Sequence, residues 1–262
     1  MHKVLTIVHK EWADVFKNRT VLFSTLFMPL MFAAIPLAFV VTTRGLDAGS
    51  LPAEFTAQVR YVCPEGLSAI ACLQLLVLNQ FMLMFMFTPL IVPINLAAYS
   101  IAGEKTSRSL EPLLATPIST VELLVGKNLA AAVPAIAGTW LSFLLYTLGS
   151  TILVGNPIVM GLLFRSVSWL AAILLGPLLS LLSVNVCLMV SSRVNDPHAA
   201  EQISSTLILP LLLVFVGQMA GLVVVSKRLV LLAAVALLLL DGVLLYLAVR
   251  LFRRETILTR WR

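Results

Sequence analysis

Four polar side chains set inside apolar runs are the residues of this sequence best placed to do chemistry: Asn95, Asn185, Gln218 and Asp241. A carboxylate such as Asp241 in the middle of an apolar helix is costly, and it marks either a solute path or a structural role, as a protonated, neutral acid or a hydrogen bond between helices. The three amides pose the same choice more weakly, because carboxamides also hold helices together. Both roles stay open for all four. Other chemistries lack their residues. A phosphate-cradling loop needs G-x-x-x-x-G-K-[ST], whose glycines let backbone amides wrap the phosphates. The nearest fragment, Gly126-Lys127, is followed by Asn128 and has Val121 where the first glycine belongs. It reads more simply as a helix start with Lys127 snorkelling to water. His2, His9 and His198 are scattered and share no metal-ligand spacing with cysteine, so no metal site is expected. No catalytic residues are assigned, and the chain is expected not to be an enzyme.

The elements that must carry those side chains are membrane spans. Hydrophobic residues make up 60% of the chain and charged ones 11%, with a mean hydropathy of +1.02. Soluble domains are about half apolar and a quarter charged, so most of this chain belongs in lipid. A helix crosses the bilayer core with about 20 apolar residues. On that basis the expected fold is all-α, a single domain over 1–262 with six transmembrane helices at about 21–41, 80–102, 128–154, 167–190, 201–225 and 229–249. The external segment runs over about 42–79, and its end, Leu67 to Leu78, reads as an interfacial helix separate from the second span. Ahead of the first span, Val4, Val8, Trp12, Val15 and Phe16 share one helical face, opposite Lys3, Lys10, Asp14 and Lys17. Such a helix is too short and too charged to span, and lies in the interface with Trp12 at headgroup depth.

The net charge of +6 has a location. With both termini inside, thirteen of the eighteen Lys and Arg fall on the cytoplasmic side, and five, Arg44, Arg60, Arg165, Lys227 and Arg228, fall outside. That asymmetry predicts cytoplasmic N and C termini and accounts for the basic balance without nucleic acid. Cys187 sits in an apolar run as a small core residue. Cys63 and Cys72 lie in or near the external segment, where a local disulfide and two unpaired thiols are both open readings.

One connector stands out, from Ala98 to Lys127: AYSIAGEKTSRSLEPLLATPISTVELLVGK. Leu110, Leu113 and Leu114 fall at i, i+3, i+4, so a short helix here shows one apolar ridge amid polar neighbours. Pro112 fits its first turn and Pro117 ends it. Ser119 and Glu122 then form a capping box for the next span. Gly103-Glu104-Lys105, Ser109-Leu110-Glu111-Pro112-Leu113-Leu114-Ala115-Thr116-Pro117 and Gly126-Lys127 together resemble the signature of type-2 ABC exporter permeases. The motif covers about 25 residues and is fairly specific as a whole, while the rest of the chain matches by architecture. The resemblance implies a six-span permease with an N-terminal elbow helix and a coupling helix between spans 2 and 3. It also implies a cytosolic ABC ATPase partner that holds the ATP and magnesium, and a second permease subunit, either a copy or a sister. In that scheme Leu110, Leu113 and Leu114 fill a groove on the ATPase, and Glu104, Lys105, Arg108 and Glu111 orient the contact. The expected location is the inner (plasma) membrane, and the expected function is ATP-driven efflux. The alternative is a secondary carrier or membrane scaffold that uses no ATPase. A secondary carrier usually shows an internal repeat, and none is evident.

Overall fold

The structure is a computed structural model and describes residues 2–17, 19–46, 63, 66–98, 100, 103–104, 118–194, 196–223 and 225–251. Among these residues every regular element is helical. The amphipathic segment forms α1 (His2–Lys17), followed by α2 (Arg19–Thr43), which carries Pro29 and Pro36. The helix α3 (Ala69–Met84) opens on Ser68, whose hydroxyl accepts the Ala71 N–H. It continues through a tight 3-10 turn at Phe85–Phe87 into α4 (Thr88–Ala98). At the start of α5 (Thr120–Val154) the capping box is complete. The Glu122 N–H donates to Ser119 Oγ at 3.2 Å, and the Ser119 N–H donates to the Glu122 carboxylate at 2.9 Å. Gly155, with φ of 65°, closes α5 in the left-handed conformation that glycine adopts without steric cost. A short α6 (Pro157–Phe164) leads to α7 (Val167–Arg193). Then α8 (Pro197–Ser204), a 3-10 turn at Ser205–Leu207 and α9 (Ile208–Met219) form one broken rod, and α10 (Lys227–Leu251) completes the described chain.

Six of these segments are long and apolar enough to cross a membrane: Thr25–Thr43, Ala69–Ala98, Thr120–Val154, Val167–Arg193, Pro197–Met219 and Lys227–Arg250. Their number and order agree with the sequence reading, and three boundaries differ by more than five residues: the third span starts at Thr120, eight residues before the expected 128, because its capping box lies there, and the other two concern the second and fifth spans. The interfacial helix expected over Leu67 to Leu78 does not separate from the second span, because no glycine or proline interrupts α3 and it runs straight on through Leu78 and Asn79. A 30-residue helix exceeds the hydrocarbon core, but length alone does not break a helix, since tilt or protrusion accommodates the excess. The fifth span ends at Met219, short of the expected Val225. Gly221 takes a φ of 72°, and the amides of Leu222 and Val223 return to the Gly217 carbonyl, which terminates the helix.

Three apolar clusters hold the bundle. At the α1 end, Ile94, Ala97, Leu124, Ala132, Val184 and Leu188 pack among the second, third and fourth spans. At the other end Phe85, Phe143 and Tyr146 meet Leu78 and Met82. A third cluster joins α3, α7 and α10 through Leu83, Leu175 and Val230. Burial is uneven: within an apolar 18-residue stretch of each, 56% of the second and fourth spans lies inside the protein, but only 11% of the fifth and 17% of the sixth. The second and fourth spans are therefore the axis, and the fifth and sixth are its outer wall. Cys63 and Cys72 are joined in a disulfide with Cα atoms 5.9 Å apart, which ties the segment before α3 to its first turn, whereas Cys187 is a buried free thiol.

Tyr146 fixes one end of this packing. It is fully buried, its ring lies 5.3 Å from that of Phe85, and its hydroxyl donates to the Leu78 carbonyl at 2.7 Å. Tyr146→Phe should cost about 1 kcal/mol for the lost bond. Tyr146→Ala should cost about 3 kcal/mol or more for the cavity. Thermal unfolding in one detergent would read both, and equal effects would show that the ring's packing contributes nothing.

Candidate functional site

The most polar place inside the protein lies where α1 crosses the ends of the second and third spans. On α1, Glu11 falls three residues after Val8 and four before Val15, so the helix turns a carboxylate inward with its apolar face. On α5, Lys127 follows Leu124 by three and precedes Ala131 by four, both of them buried. The two helices can approach because residue 126 is glycine: a Cβ there would stand 2.9 Å from the Ile7 Cβ, on a β-branched side chain that cannot swing aside. One turn beyond Ile7 and one residue beyond Gly126, the Lys127 ammonium meets the Glu11 carboxylate at 2.8 Å.

Lys127 is only 1% exposed. Its ammonium also donates to Glu104 Oε2 at 2.8 Å, to the Ser100 carbonyl at 2.7 Å and to Ser100 Oγ at 2.8 Å. Three N–H groups thus face four acceptors, and one is shared. Ser100 Oγ in turn donates to Glu11 Oε2 at 3.0 Å, and Lys10 pairs with the other oxygen of Glu104. Trp12 closes the contact, its indole N–H donating to the Ala130 carbonyl at 3.0 Å. Two cations and two carboxylates from three chain segments therefore neutralise one another. This compensation makes the burial tolerable, since one buried charge left alone would cost several kcal/mol.

The groups outside the spans respond accordingly. Burial by itself would push the Glu104 carboxyl up. The Lys127 charge, hydrogen bonds from Lys10 and Lys127, and the Lys10 charge outweigh it and hold Glu104 below its ordinary value. Desolvation favours the neutral amine of Lys10, yet the hydrogen bond and charge of Glu104, with Glu11 and Asp14, raise it above its ordinary value. Glu104 thus contributes in full above the ordinary carboxyl range and is lost as pH falls through its depressed value. Lys10 contributes in full below the ordinary amine value and is lost as pH rises through its raised one. The ionic clamp is intact at neutral pH and opens at the extremes.

A second polar group lies deeper in the bundle. Asn128 Nδ2 donates to Asn185 Oδ1 at 3.0 Å, linking the third and fourth spans, and both residues are buried. Asp241 of the sixth span is 8% exposed. Asn185 faces it without standard hydrogen-bond geometry, and neither of its carboxylate oxygens has a partner among the described residues. Asn128 Oδ1 is likewise buried and unpartnered. Three spans thus turn amide and carboxylate groups toward one another inside the bundle.

Of the residues singled out from sequence, Asn185 and Asp241 come together, while Asn95 is partly buried on α4. Gln218 lines an apolar cavity near the far end of the fifth span. Glu104 does not present itself to a partner: it is 8% exposed, and both its oxygens are engaged within the chain. Lys127 does not snorkel to water, because Glu11, Ser100 and Glu104 surround its ammonium. Lys105, Arg108, Leu110, Glu111, Leu113 and Leu114, and with them the expected coupling helix, lie outside the described residues. Glu11, Ser100 and Lys127 were not legible as a group. The available signal was a charge on an otherwise apolar helical face, present at both Glu11 and Lys127.

The ABC-2 family transporter protein model matches residues 5–250, so the chain belongs to that family and is a membrane permease component of an ABC transporter. The match spans most of α1, all six spans and the clamp. The family is a transport component rather than a catalyst, and it implies an ATPase within the same system. No curated protein matches the chain.

The clamp can be read through Trp12 in a chain whose Trp140, Trp169 and Trp261 are changed to Phe. Its emission should hold constant from neutral pH down to the ordinary carboxyl range and shift red only below it. Lys127→Met should give the shifted emission already at neutral pH and cost about 3–5 kcal/mol, because two buried carboxylates are then left with Lys10 as their one cation. Native emission and melting in Lys127→Met would show that the charges do not hold α1 in place.

Proposed function

We propose that the chain is the membrane-spanning subunit of an ABC exporter, driven by a separate cytosolic ATPase through the stretch between Glu104 and Lys127. The observation that carries this reading is the position of the clamp. Glu104 and Lys127 stand at the two roots of that stretch, and α1 is bonded to both through Lys10 and Glu11. A push on the intervening ridge of Leu110, Leu113 and Leu114 reaches the second and third spans together, with α1 moving as part of the same body. Lys105, Arg108 and Glu111 border the ridge and orient the ATPase; Glu104 acts behind it as an internal strut.

In this reading both termini are cytoplasmic, as the distribution of Lys and Arg favours. Two such subunits, identical or sister, enclose the path, and the weakly buried fifth and sixth spans offer the surface for joining. ATP and magnesium sit on the ATPase. Asn185 and Asp241 are the polar groups of the path, since an unpaired carboxylate among spans is costly unless it serves a passing solute. Asn95 and Gln218 are lesser contributors.

Affinity purification of the tagged chain in mild detergent, with identification of what accompanies it and an ATPase assay on the eluate, tests the assignment. An ABC ATPase should co-purify, and Leu113→Ala with Leu114→Ala should remove it while leaving the permease in the membrane. A stable, ATPase-free preparation would instead favour a carrier or scaffold. Asp241→Asn should abolish transport at unchanged membrane abundance, whereas parallel loss of abundance and transport would make Asp241 a structural bond.

A further inference from the structure

Between the fifth span and the axis of the bundle the structure leaves a cavity of about 500 Å³. Its walls come from α3, α4, α7, α9 and α10, and Gln218 is the one polar side chain among its described lining residues. The fifth span stands away from the bundle here. No residue of α9 is buried, although Phe215 rests edge-on against Phe87 with ring centroids 5.8 Å apart. An apolar space of this size, left empty, forfeits the dispersion contacts of every side chain around it.

The shape and the charge of the surroundings identify a filler. The lining residues of α10 run from Leu229 to Leu240, which at the helical rise is a depth of about 16 Å. That is about half the thickness of the hydrocarbon core, the length of one leaflet's acyl chain. The cavity starts beside Lys227 and Arg228, both exposed, and Leu229 and Val230 immediately after them form its wall. The charged residues described at this end of the bundle are Arg44, Arg165, Lys227 and Arg228, all cations. Arg44 is bonded to the Leu153 and Ile152 carbonyls at the end of α5.

We propose that the cavity holds one acyl chain of a phospholipid whose phosphate lies against Lys227 and Arg228. The chain replaces the missing side-chain contacts between α9 and the bundle, and the phosphate meets two cations that have no described carboxylate near them. Bound there, the lipid couples the fifth span to the fourth and sixth.

Native mass spectrometry of the intact protein, released from mild detergent after incubation with phosphatidylglycerol or with diacylglycerol, tests this without requiring an ATPase. One phosphatidylglycerol per chain should be retained, and diacylglycerol, which lacks the phosphate, should bind far more weakly. Lys227→Gln with Arg228→Gln should weaken phosphatidylglycerol binding by about thirtyfold. Ala233→Trp, which fills the cavity from α10, should remove it, and Ala236→Phe serves as a second filling variant if the first fails to fold. The proposal is overturned if diacylglycerol binds as tightly as phosphatidylglycerol. It is also overturned if a filled variant with native melting in lipid-free detergent retains the same lipid, or if filling disrupts a dimer and leaves lipid binding unchanged, which would make a second copy of the chain the occupant.

Discussion

A lysine ammonium sealed from water dictates much of what surrounds it. Lys127 lies within a membrane-spanning helix at 1% exposure, where an unpaired charge would be intolerable. Two carboxylates and a serine must therefore be brought to it, and they come from segments far apart in the chain. Glu11 obliges α1 to lie across the third span, Gly126 must lack a side chain so that it can do so, and Glu104 obliges the chain leaving the second span to return to the same point. The amphipathic helix is thereby bolted to the bundle, not merely floated in the interface.

The spans were readable because each is a long apolar run ended by polar or turn-forming residues. The Ser119 and Glu122 capping box, the Gly155-Asn156-Pro157 turn and the arginines after the last span all act within a few residues of where they stand. What sequence reading missed was long-range or cooperative. Dividing the second span near Leu78 relied on length, although nothing between Ala69 and Met84 breaks a helix, and Tyr146 and Gln74 add bonds to neighbouring elements there. Local spacing could not pair Lys127 with Glu11, because the partners are 116 residues apart and each alone looks like an ordinary interfacial charge. Glu104 was expected to orient the ATPase contact for the same reason: its motif is local, and its burial depends on Lys10 and Lys127.

The polar residues of the spans follow the same logic with a different outcome. Asn128 and Asn185 satisfy each other across two helices, as amides in a low-dielectric interior should. Asp241 is near them and is not satisfied. The bundle thus encloses one carboxylate cluster that is fully compensated at its edge and one carboxylate that is not compensated within its interior. The first fits rigidity, and the second fits a group whose partner comes and goes.

The separation of Glu11 from Lys127 also orders events during synthesis. At about 5–20 residues per second, α1 precedes its cation by about 6–23 s. During that interval Glu11 lacks its cation, although Glu104 reaches Lys10 after 94 residues, and the first two spans enter the bilayer without the elbow in its final seat. Seating α1 is therefore a late step of assembly. It waits on the arrival of the third span, so a chain stalled before Lys127 holds α1 without the Glu11–Lys127 bond.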